Sequence, residues 1–415
     1  MKIALFGHFG VGNFGNEATL QAMLCNLRRF MPEAEISAIS TAPEIVTERY
    51  GISAVSINAV IVRQWKLSNP VSWLARKLII GIASELYRWL KGIKTLWNQH
   101  MLVVVGTGLL TDAFGLGAWG PYNVFKWALI AKLCRCRLMF VSVGAGPLNS
   151  RRGRFFVKSA LALANYRSYR DVSTREYLRK VGFEHRGDAV YPDLAFSLPG
   201  CSQNRRREET GRPVVGLGLM LYAAMYGVEE TTEAHYDSYI RTLVSFVGWI
   251  LKHQYDVRLL IGDLSDIEAV QQFERLLQVQ LSKDDVSRVK AEPIGSVDDL
   301  LRQLNETDFV VATRFHNALL ALYLDKPTTA ISFHHKCSSL MKEMGLSEYY
   351  QDINTLSSEK LIEQFCNLEK NASKLRAHIK RKADECRTAL DDQYNLILRG
   401  FLTERGKASE NPVTV

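Results

Sequence analysis

Acidic residues are in short supply in this chain. Forty-three Asp and Glu stand against 52 Lys and Arg, a formal charge of +9. That balance suits an anionic partner, whether phosphorylated substrate, membrane face or nucleic acid. Proline is scarce too, 11 in 415 residues, with 47% hydrophobic and 23% charged residues, which excludes a mainly disordered or collagen-like chain. The seven cysteines are odd in number and scattered, with no C-x-x-C pair. They exclude a disulfide-stapled scaffold and point to reduced thiols in a cytosolic protein. No apolar run approaches the roughly 20 residues of a membrane-spanning helix. The apolar stretch at the N-terminus is too short for a signal peptide, so a cytoplasmic location is expected.

What the chain has in abundance is alternation. Short apolar, often β-branched runs at Lys2–Phe6, Glu35–Ile39, Met101–Val105, Leu138–Val143 and Tyr166–Tyr169 are separated by helical patterns, and a second series follows at Pro213–Leu217, Val257–Ile261, Asp308–Ala312 and Thr328–Ile331. The fold class expected is α/β, with two Rossmann-like domains facing a cleft, since alternation of this kind builds parallel sheets covered by helices. Length supports two domains. The polar segment PGCSQNRRREETGR marks their junction. The expected division is an N-terminal domain over 1–200, a linker over 201–212 and a C-terminal domain over 213–371. A charged amphipathic helix over 372–400 would strap the domains together, and a flexible tail over 401–415 would follow. In such folds ligands bind where strands end, so functional residues belong just after a strand or at the start of the next helix.

The first strand runs into Gly10-x-Gly12-x-x-Gly15, formally a dinucleotide fingerprint. The second strand ends at Ser40-Thr41 without the acid that would hold a ribose, and helical turns are expected only near Asn16, which argues against a nicotinamide cofactor. The glycines could merely permit a turn. Asn13, Asn16 and Glu17 could equally hydrogen-bond sugar hydroxyls.

The strongest constellation is Thr313-Arg314-Phe315-His316-Asn317, at the end of a buried strand and the start of an apolar helix. A helix N-terminus favours an anion. Arg314 offers a bidentate fork, and His316 a proton donor that works near neutral pH. Arg170 occupies a similar junction in the first domain and would face Arg314 across the cleft. There Ser173 and Glu176 read as a capping box opening a helix at about Thr174.

Several motifs in order resemble the polysaccharide pyruvyl transferase family over about residues 1–365. They are Gly12-Asn13-Phe14-Gly15-Asn16-Glu17, Val105-Gly106-Thr107-Gly108 with Asp112, and Gly144-Ala145-Gly146-Pro147-Leu148. Further on come Arg170-Asp171-x-Ser173, Pro192-Asp193-x-x-Phe196, Arg314-Phe315-His316 and Ser332-Phe333-His334-His335-Lys336. The resemblance implies two domains of the GT-B type and an enzyme that uses phosphoenolpyruvate as co-substrate to build a pyruvate ketal on a saccharide of surface-polymer assembly, lipid-linked or free. It implies Arg170, Arg314 and Lys336 as donor-binding residues, with Arg314 and His316 catalytic. Asn13, Asn16, Glu17 and Asp112 fall on the acceptor side. The family commonly has Asp at the place of Asn16 and a third glycine at the place of Thr107. No cofactor and no metal are expected, since His334 and His335 are adjacent rather than at a ligand spacing. A nucleotide-sugar glycosyltransferase and a catalytically silent sugar-binding relative share the same architecture; the Arg-plus-His pocket suits a compact anion better.

Residues 57–100 hold Trp65, Trp73, Trp89 and Trp97 with seven basic residues against Glu85. An interfacial helix lying on an anionic membrane has this composition, and so has an excursion packed on the first domain with its tryptophans buried. No nucleic-acid motif accompanies the charge.

Overall fold

A computed structural model describes residues 1–58, 70–113, 119–200, 211–221, 231–332 and 335–399. They form two units. The first contains a seven-stranded parallel sheet, β3(Ser53–Ser56)-β2(Glu35–Ser40)-β1(Lys2–Gly7)-β4(Met101–Val105)-β5(Arg137–Val143)-β6(Tyr166–Tyr169)-β7(Ala189–Val190). Its helices are α2(Pro43–Tyr50), α3(Pro70–Leu96), α4(Trp119–Leu133), α5(Arg151–Leu163) and α6(Val172–Lys180), with α1(Phe14–Phe30) crossing the dividing line. β4 is buried at every position. A strand covered on both faces must read as a continuous apolar run, as MLVVV does. The core beneath α4 gathers Phe6, Leu102, Val104, Trp127 and Phe140.

The second unit carries a six-stranded parallel sheet, β10(Val289–Lys290)-β9(Asp256–Ile261)-β8(Val214–Leu219)-β11(Phe309–Ala312)-β12(Thr328–Ile331)-β13(Tyr350–Gln351). Around it lie α7(Thr231–Lys252), α8(Ile267–Gln280), α9(Lys283–Ser287), α10(Val297–Asn305), α11(Phe315–Tyr323), α12(His335–Glu343), α13(Ser358–Lys370) and α14(Ala372–Tyr394). Both sheets reverse strand order once, between β1 and β4 and between β8 and β11. Such reversals are where open α/β sheets bind ligands.

The expected α/β class with two Rossmann-like domains is what the chain forms. The division differs from the expected 1–200 and 213–371. Residues 12–26 and the described residues from Tyr191 onward group with the second sheet. Hydrogen bonds explain it: Asn26 Nδ2 donates to the Ser197 carbonyl at 3.0 Å, and Tyr323 Oη donates to the carbonyls of Leu198 and Pro199 at 3.2 Å. Most of the expected linker and the expected tail lie outside the described residues. The C-terminal helix ends at Tyr394 and continues as one π-helical turn to Arg399. Within its unit α14 seats the buried Tyr394 on Ser197 at 3.2 Å and Arg387 on the Tyr323 carbonyl at 2.9 Å.

Candidate functional site

β11 ends at Ala312, and the Thr313 hydroxyl donates to the Gly218 carbonyl of β8 at 3.0 Å, closing the strand order's reversal point. Arg314 is the N-cap residue of α11 and makes no side-chain cap bond. The dipole of that helix end favours negative charge beside it. The Arg314 Nε donates to Asp266 Oδ2 at 2.9 Å and Nη2 donates to Oδ1. Asp266 is fully buried and also accepts from the Leu221 N–H at 3.0 Å. The fork expected to lie open to a ligand is thus clamped along one edge. A buried carboxylate paired in this way holds the guanidinium in a set direction.

His316 follows in the first turn of α11. Its ring lies directly on the backbone of Gly15, where an added Cβ would stand 1.8 Å from Nδ1. The Nε2 is buried and has no hydrogen-bond partner among the described residues; Asp193 Oδ2 is 3.8 Å away, an ion-pair distance once the ring is protonated. Asn317, next in line, is fully buried with both amide atoms lacking a partner among the described residues. Cβ atoms on Gly218 or Gly262 would stand 3.2 and 2.7 Å from that amide, so the glycines let the ends of β8 and β9 close over it. An unsatisfied buried amide costs about 1–3 kcal/mol and calls for an explanation in function.

The glycine segment belongs to this same site. Gly12 adopts φ +81° and abuts Leu264, the Phe14 N–H donates to the Gly262 carbonyl at 3.1 Å, and the Leu264 N–H donates to the Gly12 carbonyl at 3.0 Å. Asn13 caps α1, its Oδ1 accepting from the Asn16 N–H at 3.1 Å, while its Nδ2 donates to Asp263 at 2.9 Å. Helical turns therefore begin at Phe14, two residues before the expected start. Glu17 is fully buried and Asn16 half-buried. The glycines serve a close approach to the β9 end and to His316, not a pyrophosphate turn.

Arg170 sits in the first unit, just after β6. It is buried, with Nε 3.4 Å from Asp171 Oδ2, and its guanidinium lies over Gly144, where a Cβ would meet it at 2.7 Å. Gly144 in turn donates its N–H to the Thr107 carbonyl at 3.1 Å, and the buried Thr107 hydroxyl has no partner among the described residues. A bulge in β5 with Ser142 at φ +48° precedes this glycine, and such left-handed non-glycine residues store roughly 1–3 kcal/mol of strain. Burial pulls the Asp171 carboxyl upward. The Arg170 charge and bonds from Ser173 and Thr174 outweigh it, so it titrates below its ordinary value. Asp171, not Ser173, caps α6, and the helix opens at Val172 rather than Thr174. The Asp171 Oδ1 accepts from the Thr174 N–H at 2.6 Å and from the Ser173 hydroxyl at 2.7 Å, so the serine supports the aspartate cap instead of forming its own. Both Asp112 oxygens are engaged within the fold, accepting from the Asn149 and Ser150 N–H groups and the Ser150 hydroxyl at 2.7 Å each. That carboxylate shapes the 147–150 turn, a structural task the motif did not disclose. Lys336 is half-buried in the first turn of α12, His335 is exposed beside it, and His334 lies outside the described residues. No group of three metal-ligating side chains occurs among the described residues.

Three residues of this site were absent from the expected set. Asp266 and Asn317 follow strand ends, the edge where such residues are to be sought, and Asp193 lay in a recognised motif without a role. Asn317 adjoins His316 in the chain, whereas only the fold connects Asp266 to Arg314 and Asp193 to His316.

A family model, polysaccharide pyruvyl transferase, matches residues 13–335. The amylovoran biosynthesis protein AmsJ of Erwinia amylovora is 20% identical over 412 residues, covering 93% of this chain and 96% of the relative. Among solved structures, Anabaena Alr3699/HepE in complex with UDP superposes with a TM-score of 0.58 at 13% identity, over 97% of this chain and all of that one. The UDP-GlcNAc 2-epimerase of Methanocaldococcus jannaschii gives 0.56 at 12% identity, over 88% of this chain and 92% of its own. At these identities the structural likeness shows the fold alone.

Proposed function

The chain belongs to the polysaccharide pyruvyl transferase family, and on that premise we propose that it transfers the pyruvyl group of phosphoenolpyruvate to a saccharide as a ketal during assembly of a surface or extracellular polysaccharide. The observation that carries the reading is the β11–α11 junction, where a guanidinium clamped by buried Asp266 stands two residues from an imidazole seated on Gly15.

The reaction is a proton and charge problem. A proton added to the methylene carbon of phosphoenolpyruvate leaves a cation-like carbon that one sugar hydroxyl attacks. Phosphate departs and a second hydroxyl closes the ketal. Of the two hydroxyl protons displaced, one is balanced by the new methyl group and the other by the phosphate. His316 is the group to move the proton, with Asp193 orienting its ring. Arg314 and the α11 N-terminus hold the carboxylate or phosphate, and Arg170 and Lys336 supply further positive charge. Of the acceptor residues that the resemblance implies on the segment beneath His316, half-buried Asn16 is the one we assign to the saccharide, since Glu17 is fully buried and both amide atoms of Asn13 bond within the fold.

Thermal-shift titration tests this directly, because a ligand that binds only the native state raises its melting temperature. Phosphoenolpyruvate is expected to stabilise the protein and UDP- or GDP-sugars are not. A shift with a nucleotide sugar and none with phosphoenolpyruvate would replace the reading with a glycosyltransferase.

A further inference from the structure

In the first unit α4 packs against both α3 and α5, so the three helices form one layer over the sheet. Their sequences contain eleven basic residues and a single acid, Glu85. That acid is spent inside the layer: it accepts from Tyr122 Oη at 2.8 Å and pairs with buried Lys126 at 3.2 Å and with Arg88 at 3.0 Å. Trp89 also turns inward, its Nε1 donating to Tyr122 at 3.1 Å. The outer side is different. Ile82, Leu86 and Leu90 recur every four residues along α3 and are 59–69% exposed. Trp119 on α4 is 67% exposed and stacks edge-on with Tyr122, while Phe155 on α5 is 61% exposed beside Phe125. Lys94, Lys132, Arg151 and Arg152 are exposed around them.

Large apolar side chains left in water on neighbouring helices mark an interaction surface. The uncompensated positive charge states what covers it. We propose that the outer face of the α3–α4–α5 layer docks on an anionic lipid surface, its Leu, Ile, Trp and Phe side chains entering the headgroup boundary and its Lys and Arg pairing with lipid phosphates. Among the described residues no helix is long and apolar enough to cross a membrane, so the contact is peripheral. The sequence placed the basic, tryptophan-rich signal in 57–100; the fold extends the surface to α4 and α5 and removes Trp89 from it.

Co-sedimentation of the full chain with phosphatidylglycerol–phosphatidylcholine vesicles tests the proposal against pure phosphatidylcholine vesicles. Binding is expected to the anionic vesicles only, and to fall steeply as salt rises from 0.1 to 1 M, where the screening length shrinks from about 10 to about 3 Å. The triple variant Lys94→Gln, Arg151→Gln, Arg152→Gln should lose on the order of 100-fold in partitioning, near fivefold per charge. Leu86→Asp with Leu90→Asp should abolish it. These side chains are exposed, so melting temperature and phosphoenolpyruvate affinity should not change. Absence of binding to anionic vesicles overturns the proposal, as does wild-type binding by either variant. A dimer that dissociates on Leu86→Asp in a protein that ignores vesicles would assign the face to a second copy of the chain and equally overturn it.

Discussion

Gly15→Ala is the sharpest perturbation of the proposed site, because it displaces His316 without removing any polar group. The added methyl carbon would stand 1.8, 2.2 and 2.3 Å from Nδ1, Cε1 and Cγ of the imidazole. Ordinary contact needs about 3.5 Å, so the ring must retreat by about 1.7 Å or swing away. A catalytic group misplaced by about 1 Å can lose 100-fold in rate. We therefore expect turnover, read as phosphate released from phosphoenolpyruvate with the saccharide acceptor, to fall by about 100-fold or more. Donor affinity should change far less, since the Arg314–Asp266 clamp is left intact. Overpacking costs about 1–3 kcal/mol, and alanine in place of glycine in the first turn of α1 returns up to about 1 kcal/mol. The melting temperature should accordingly drop by less than roughly 8 °C. In a His316→Ala background the same substitution should have no further effect on rate, the coupling expected of residues in contact. Near-wild-type turnover by Gly15→Ala would refute the placement of His316 as the proton carrier.

His316→Gln should lower turnover by about 10²–10⁴-fold while retaining much of the donor affinity, measured side by side on one preparation. Arg170→Ala should weaken phosphoenolpyruvate binding by very roughly 1.5–3 kcal/mol in calorimetric titration; unchanged affinity would remove it from the donor site. Asp266→Ala leaves a mostly buried guanidinium without its counter-charge and should destabilise the protein by about 3–5 kcal/mol, visible in denaturant unfolding. Asp171 titrates lower in the folded state than when unfolded, so its contribution is complete at neutral pH and is lost as pH falls through that depressed value; Asp171→Asn should flatten this part of the acid-denaturation profile. Burial pushes the thiols of Cys136 and Cys337 up to about 12. Iodoacetamide at pH 8 should therefore label exposed Cys366 in the native protein and leave those two unmodified until it unfolds.

Much of this protein is local in origin. Runs such as MLVVV and the Phe309–Ala312 strand announce themselves because a strand buried on both faces tolerates no polar position, and eight of the nine strands expected in the interiors of the sheets agree with the structure to within one residue at both ends, β8 running two residues further than expected. The edge strands β3, β7, β10 and β13 escaped notice because two to four residues of mixed polarity carry no period to detect. The junction at Arg314 and His316 was legible for the same local reason: a buried strand, a charged pair of residues and an apolar helix in immediate succession. Their partners were not. Asp266 comes to Arg314, and Gly15 to His316, through packing between segments far apart in sequence, and no neighbouring residue records that choice. Residues 12–26 join the second sheet because their backbone bonds to Gly262 and Leu264, although the glycine pattern alone reads the same wherever the segment lies. Likewise the helical repeat of α3 offers two apolar sides, and only its packing on α4 decides which is core and which faces water.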